Sequence, residues 1–427
     1  MKRIFGLMLS FFISTAVAAV FSPKEIKILE QNFLANVTDT GAIVASPSRY
    51  YPDYYYDWVR DSAISMNLVE GWYEKNNNRE DKTRLLNYVN WVEKAQHQID
   101  TLPGQDIIGE PKFYMDGRAF DGAWGRPQND GPALRALTLI RFAHTLLKNN
   151  EKDYVQKHLY DNNLDANRMG AIKTDLEYIA HHWQDKNYDL WEEVYGEHFF
   201  TEIVQRKALI EGAKLARELH DNSAAAYYDL QANLIEKRLE QHIDKDNNII
   251  QATLVPHPGP QKTLELDSAV VLGVLLGQTD NMPFAADNKY VKNTVKALKQ
   301  QFKILYPIND EYHQAVLFGR YPGDTYDGYR NDSLGNPWFI LTATMAEYYY
   351  TLASMLPHTE EHRVKFESYV EEGDGYLKLI KKYAPHLMMS EQINRETGIQ
   401  QGAISLTWSY VAVLRAINLR EHLQVFV

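Results

Sequence analysis

From Ser22 onward the chain reads as one helix after another. Ser22-Pro23-Lys24-Glu25 supplies an N-cap hydroxyl, a proline at the first helical position and an early acid, ahead of Ile26, Ile28, Leu29 and Phe33. Apolar residues then recur three and four positions apart over 60–75, 81–99, 130–149, 164–183, 202–219, 222–242, 265–277, 289–304, 337–355, 359–382 and 403–421. That spacing lines one face of a helix. Strand signals are sparse and confined to short pieces such as Ile249 to Leu254. About a dozen helices, with long loops rich in Tyr, Trp, Gly and Pro after every second one, predict helical hairpins set in a ring. No fixed-period sequence repeat accompanies them. Val255 to Gln261 is rich in proline but too short to divide the chain, so one domain over residues 20–427 is expected.

The first nineteen residues differ in kind. Lys2 and Arg3 precede the apolar run Ile4 to Ile13, and Ala16-Val17-Ala18-Ala19 follows. A basic start, a short apolar middle and small residues at the end predict an export signal over 1–19, and a secreted or periplasmic destination. The apolar run is short for a membrane span and no later segment resembles one, so no stable membrane insertion is expected. The chain has no cysteine, which leaves its core, rather than disulfides, to hold it together after export.

Charge narrows the ligand. The formal net charge is −11, with 45 Lys and Arg against 56 Asp and Glu. Nucleic-acid binders concentrate basic residues, so a neutral or weakly charged ligand fits better and no nucleic acid is expected. Hydrophobic residues make up 45%, enough for a sizeable globular core.

The densest chemistry lies between Asn187 and Thr201, where four carboxylates, a tryptophan, two tyrosines and two phenylalanines share fifteen residues. Carboxylates can hold sugar hydroxyls while indoles and phenols cover the C–H face of a pyranose. Glycosidic cleavage also needs one carboxyl kept protonated near neutral pH, and apolar neighbours favour that form. Trp191 beside Glu192 is such a neighbour. The residues alone do not rank Glu192 against Glu193, and Ser390-Glu391-Gln392 could as well begin a helix. Two metal-like patterns are discounted: His358-Thr359-Glu360-Glu361-His362 reads as a polar helix start, and adjacent His181-His182 diverge on a helix. No metal or cofactor is expected.

The runs YYYDWVRDS, GEPKF, AWGRPQNDGPALRA, YDLWEEV, GRYPGDTY, GNPWF, SEQ and LTWSY, in this order, resemble the inverting glucoamylases, glycoside hydrolase family 15. The likeness spans essentially the whole mature chain. It implies an all-α (α/α)6 barrel, with the site in loops at one end, and release of glucose from the non-reducing ends of α-1,4-glucans. It also implies Glu192 as general acid and Glu391 as base. Arg60 and Asp61 are similar to the pair that grips the terminal glucose, and Arg320 to a second such arginine. Tyr54, Trp124, Asp189, Leu190, Trp191, Glu193 and Trp338 match positions lining the first two sugar subsites. Gly402-Ala403-Ile404-Ser405 departs from the charged Ala-Arg-Asp step of many relatives. The alternatives are a related inverting enzyme for α-1,6, trehalose-like or short substrates, and a non-catalytic carbohydrate-binding protein on the same scaffold.

Overall fold

The structure is a computed structural model that describes residues 19–98, 106–162, 169–280 and 283–423. The export signal expected over 1–19 therefore lies, except for Ala19, outside the described residues, as do residue 99 and residues 164–168 of two expected helices.

Among the described residues, twelve helices have eight residues or more. They are α1 (Pro23–Leu34), α2 (Val59–Asn76), α3 (Arg79–Gln96), α4 (Asp130–Lys148), α5 (Gly170–His182) and α6 (Phe199–Glu218). After them come α7 (Asn222–Leu239), α8 (Ala269–Leu276), α9 (Lys289–Leu305), α10 (Phe339–Ser354), α11 (Glu360–Tyr383) and α12 (Thr407–His422). The even-numbered helices pack in sequence, α2 on α4, α4 on α6, α6 on α8, α8 on α10 and α10 on α12. Contact of α12 with α2 closes the inner ring. The odd-numbered helices pack outside it, for example α3 on α2, α7 on α6 and α11 on α10. This is an (α/α)6 barrel.

Side-chain pattern assigns each helix to its layer. Inner α8 reads Ala-Val-Val-Leu-Gly-Val-Leu-Leu, without a charge, and is buried along seven of its eight residues. A helix that is apolar all round belongs in an interior. Outer α9 buries only Val291, Thr294, Val295, Leu298 and Phe302, three and four apart, and turns its lysines outward. The α1 start forms as expected, with Ser22 accepting from the Glu25 amide and Glu25 reaching back to the Ser22 amide.

Several boundaries differ from the periodic pattern. The helix expected from residue 202 starts at Phe199, because the Phe199 amide is already bonded to Ala252 O at 2.9 Å. The one expected from 403 starts at Thr407, since Ala403 to Leu406 serve as loop. The 249–254 strand shrinks to Ile249–Ile250, paired with Ile243–Asp244.

Among the described residues, four two-residue strand pairs clip the loops. Three of them shape one end of the barrel: β1 (Asp57–Trp58) with β2 (Lys112–Phe113), β3 (Asn187–Tyr188) with β4 (Tyr195–Gly196), and Gln392–Ile393 with Gln400–Gln401. At that end the first turns of inner helices hold Arg60 and Asp61 on α2, Asp130 on α4 and Trp408 on α12, with Trp338 as the N-cap residue of α10. Among the described residues no helix is long and apolar enough to cross a membrane.

Candidate active site

The β3–β4 hairpin carries Asp189 to Val194 at its tip. Asp189 folds this loop on itself. Its carboxylate accepts the Glu193 and Val194 amides at 2.8 and 2.9 Å, its own amide reaches Val194 O at 2.9 Å, and its carbonyl accepts the Glu192 amide at 2.9 Å. These bonds hold Glu192 at φ 67°, a left-handed conformation that costs a residue with a side chain about 1–3 kcal/mol. Strained non-glycine residues cluster where position matters more than stability.

Asp189 itself does not reach the cavity. It is 3% exposed and stands behind the wall, against Lys262. Burial would raise its carboxyl, but Lys262, His198 and the two amides outweigh that and hold it below the usual value. Lys262 Nζ lies 2.7 Å from Asp267 and 3.5 Å from Asp189, and Asp267 accepts the Trp191 indole N–H at 3.0 and 3.1 Å. One buried ammonium thus ties the loop's staple to the carboxylate that orients Trp191. Asp189, expected at a sugar subsite, stands apart from the cavity lining, its carboxylate taken up by the Glu193 and Val194 amides and by Lys262.

Glu192 projects from the loop into the cavity, with its side chain 19% exposed. Oε1 accepts the Trp58 indole N–H at 2.8 Å and the Gln128 amide at 3.1 Å, and Arg60 Nη2 stands 3.7 Å away. Among the described residues both hydrogen bonds fall on Oε1. Glu193 points elsewhere, held by Arg320 at 2.8 Å and the Tyr321 hydroxyl at 2.6 Å.

Glu391 faces the same cavity from the loop before Gln392–Ile393. Its amide donates to Ala403 O at 2.8 Å, while Oε1 accepts the Tyr54 hydroxyl at 2.9 Å and Oε2 the Tyr326 hydroxyl at 3.2 Å. Burial pushes its carboxyl up to about 7, against the lowering effect of Tyr54, Arg320 and Tyr326. Gly402 is required here: a Cβ at that position would sit 2.3 Å from Glu391 Oε2, and its φ is 75°.

The arginines are anchored at their far sides. Arg60 donates to Asp130 at 2.9 Å and to Gln128 at 3.0 Å, with Asp61 3.7 Å from its Nε. Burial pushes Asp61 up to about 6 despite that neighbour. Arg320 forms a two-pronged pair with Asp324 at 2.8 and 2.6 Å, and lies over the Tyr326 ring at 5.2 Å and the Trp191 ring at 5.6 Å. Both carboxyls, both arginines, Asp61, Glu193, Tyr54, Leu190, Trp124, Trp191 and Trp338 line one cavity of about 400 Å³. Of the site residues expected from the sequence, only Asp189 is missing from that lining.

Sequence reasoning passed over Trp58, Gln128, Tyr326 and Trp408. Each sits inside a run already singled out for its aromatics or glycines, and that signal was available. Lys262 and Asp267 carry no local signal. Lys112 lies in the GEPKF run, and its Nζ is boxed by the rings of Trp124 at 3.7 Å, Tyr56 at 4.0 Å, Phe120 at 4.1 Å and Trp58 at 4.6 Å, while burial lowers its pKa to about 8. A cation against those ring faces steadies two of the indoles of the cavity wall.

Two carboxyl groups with different partners, facing one cavity walled by indoles, are the equipment of a glycoside hydrolase. The sequence profile of glycosyl hydrolases family 15 matches residues 26–418, and the chain belongs to that family. Glucoamylase GLU1 of Saccharomycopsis fibuligera is 34% identical over 438 aligned residues, covering 89% of this chain and 84% of that protein. The glucoamylase of Blastobotrys adeninivorans is 33% identical over 428, covering 90% of this chain and 68% of that protein. Among solved structures, the glucoamylase from Saccharomycopsis fibuligera superposes with a TM-score of 0.85 at 32% identity, over 95% of each chain. The family 15 glucoamylase from Hypocrea jecorina gives 0.82 at 27% identity, over 94% of this chain and 72% of that one.

Proposed function

We propose that this glycoside hydrolase is an exo-acting, inverting glucoamylase that releases β-D-glucose from the non-reducing ends of α-1,4-glucans such as starch, glycogen and maltooligosaccharides. One observation carries the reading: Glu192 and Glu391 open into the same indole-walled cavity from different loops and with different partners. Inversion needs an acid to protonate the departing oxygen and a base to deprotonate the attacking water on the other face of the sugar.

Glu192 is the acid. The Trp58 indole can only donate, and Gln128 turns its NH2 to Glu192 because its carbonyl accepts from Arg60, so Oε1 must remain an acceptor and the transferable proton resides on Oε2. Glu391 is the base, since the hydroxyls of Tyr54 and Tyr326 favour its ionised form. Arg60, Asp61 and Arg320 grip the terminal glucose, the two arginines held by Asp130 and Asp324 so that little ordering is left to binding. Tyr54, Trp124, Leu190, Trp191, Glu193 and Trp338 cover the first two sugar units. The basic and apolar start of the chain directs the enzyme out of the cytoplasm.

Proton spectra recorded early in maltooligosaccharide hydrolysis should show β-glucose first. Initial α-glucose would overturn inversion. Glu192→Gln and Glu391→Gln should each lower turnover by ~10²–10⁴ while maltose still binds, and near-wild-type turnover in either variant would remove its assignment.

A further inference from the structure

The rim of the cavity carries an aromatic pair that the chemistry above leaves unused. Tyr51 and Tyr329 come from distant loops, yet their rings stack with centroids 5.2 Å apart and planes 10° from parallel. Both are open to solvent, at 58% and 39% exposure, and neighbouring Tyr50 is 90% exposed. Contiguous exposed aromatics of this kind mark binding surfaces more often than chance. Tyr51 holds φ at 45°, a conformation that a bulky residue adopts only when its surroundings require it.

Tyr329 is equally well fixed. Asp327 accepts the amides of Tyr329 and Arg330, both at 2.9 Å, and burial, which would raise the Asp327 carboxyl, is outweighed by those amides so that it stays below its ordinary value. The Asp327 carbonyl accepts the side chains of Gln401 and Asn336 in turn. Pro52, Tyr329 and Asn331 line the same cavity as Glu192 and Glu391, so the pair borders the catalytic space rather than standing apart from it. A cavity of about 400 Å³ has room for few sugar units, and a longer glucan must leave across this rim.

We propose that Tyr51 and Tyr329 form a platform for the glucosyl units of an α-glucan that project beyond the cavity, and that the platform sets the enzyme's preference for long chains over maltose. The proposal rests on the reading of the cavity as an α-glucan hydrolase. The pyranose C–H face lies against the exposed phenol rings, while the Asn331 amide at the same rim meets sugar hydroxyls. The loops are pinned before substrate arrives, so little ordering opposes binding.

The readout is kcat/KM on maltose and on maltoheptaose for the wild type, Tyr51→Ala, Tyr329→Ala and Tyr51→Phe. The ratio of maltoheptaose to maltose should fall ~3–10-fold in each alanine variant, the scale of one aromatic contact, and should hold in Tyr51→Phe, which keeps the ring. An unchanged ratio overturns the platform, including the case where both sugars suffer alike because the loop carrying Tyr54 has shifted. A wild type that releases glucose from neither sugar removes the hydrolase reading and the platform with it. An active wild type with unaltered ratios in the alanine variants removes the platform alone.

Discussion

Glu391, the base in the proposed mechanism, is held where burial disfavours its charge. The carboxyl stands at about 7, and the hydroxyls of Tyr54 and Tyr326 together with Arg320 keep it from rising further. In the proposed role Glu391 works only when ionised, so activity should be lost as pH falls through its pKa. Tyr54→Phe deletes a donor to the charged form and raises that pKa, which moves the acidic limb of the kcat/KM profile to higher pH by roughly one unit. A limb that stays in place would exclude Glu391 as the group limiting the reaction in acid. Glu192 and Glu193 show why adjacent carboxylates defeat a reading from sequence alone: the partners that separate them, Trp58 and Gln128 against Arg320 and Tyr321, arrive from three other parts of the chain.

At the scale of elements, the Asp189–Val194 loop depends on a group nothing nearby announces. Lys262→Met leaves Asp189 and Asp267 buried without their cation, and breaking such a pair costs about 3–5 kcal/mol. Chemical denaturation should report that loss, with turnover reduced as the Glu192 loop loosens, and Lys262→Arg should recover most of both. Wild-type stability and turnover in Lys262→Met would show that the loop stands without it. The helices were legible because a period of three to four residues repeats over several turns. The strand clips were not, since two residues contain no period and their pairing is decided by loops distant in sequence. Asp189 is expected at a sugar subsite only through the family resemblance, and a match in sequence does not show whether a carboxylate meets a cavity or a lysine behind the wall. The α12 start was misplaced for a related reason: Ala403 and Leu406 continue the apolar spacing, but the Glu391 amide takes Ala403 O and the Thr407 amide takes Ala45 O at 2.9 Å, so this stretch is drawn out as loop.

At the scale of the whole molecule, the barrel is a chain whose last helix packs against its first hairpin. Asn36 stitches this seam, donating to Ser405 O at 3.0 Å and to the Thr407 hydroxyl at 2.9 Å, and it is 6% exposed. Asn36→Ala strands both acceptors and should lower the unfolding free energy by about 1–3 kcal/mol. It should also slow hydrolysis, because the loosened loop is the one that abuts Glu391. A midpoint equal to that of the wild type would mean the seam is held elsewhere. The ring was readable as a count of helices and a rhythm of loops, whereas the closure of α12 on α2 belongs to three dimensions and leaves no mark in any local window.

That closure has a consequence for truncation. The loop bearing Glu391 leans on Gly402 and Ala403, and the seam beyond it is completed only by α12. A variant cut before Thr407 keeps Gly402 and Ala403 but loses the helix that fastens them, so the carboxyl is set against an unbraced wall. Such a variant should hydrolyse little or nothing even where the remaining helices assemble.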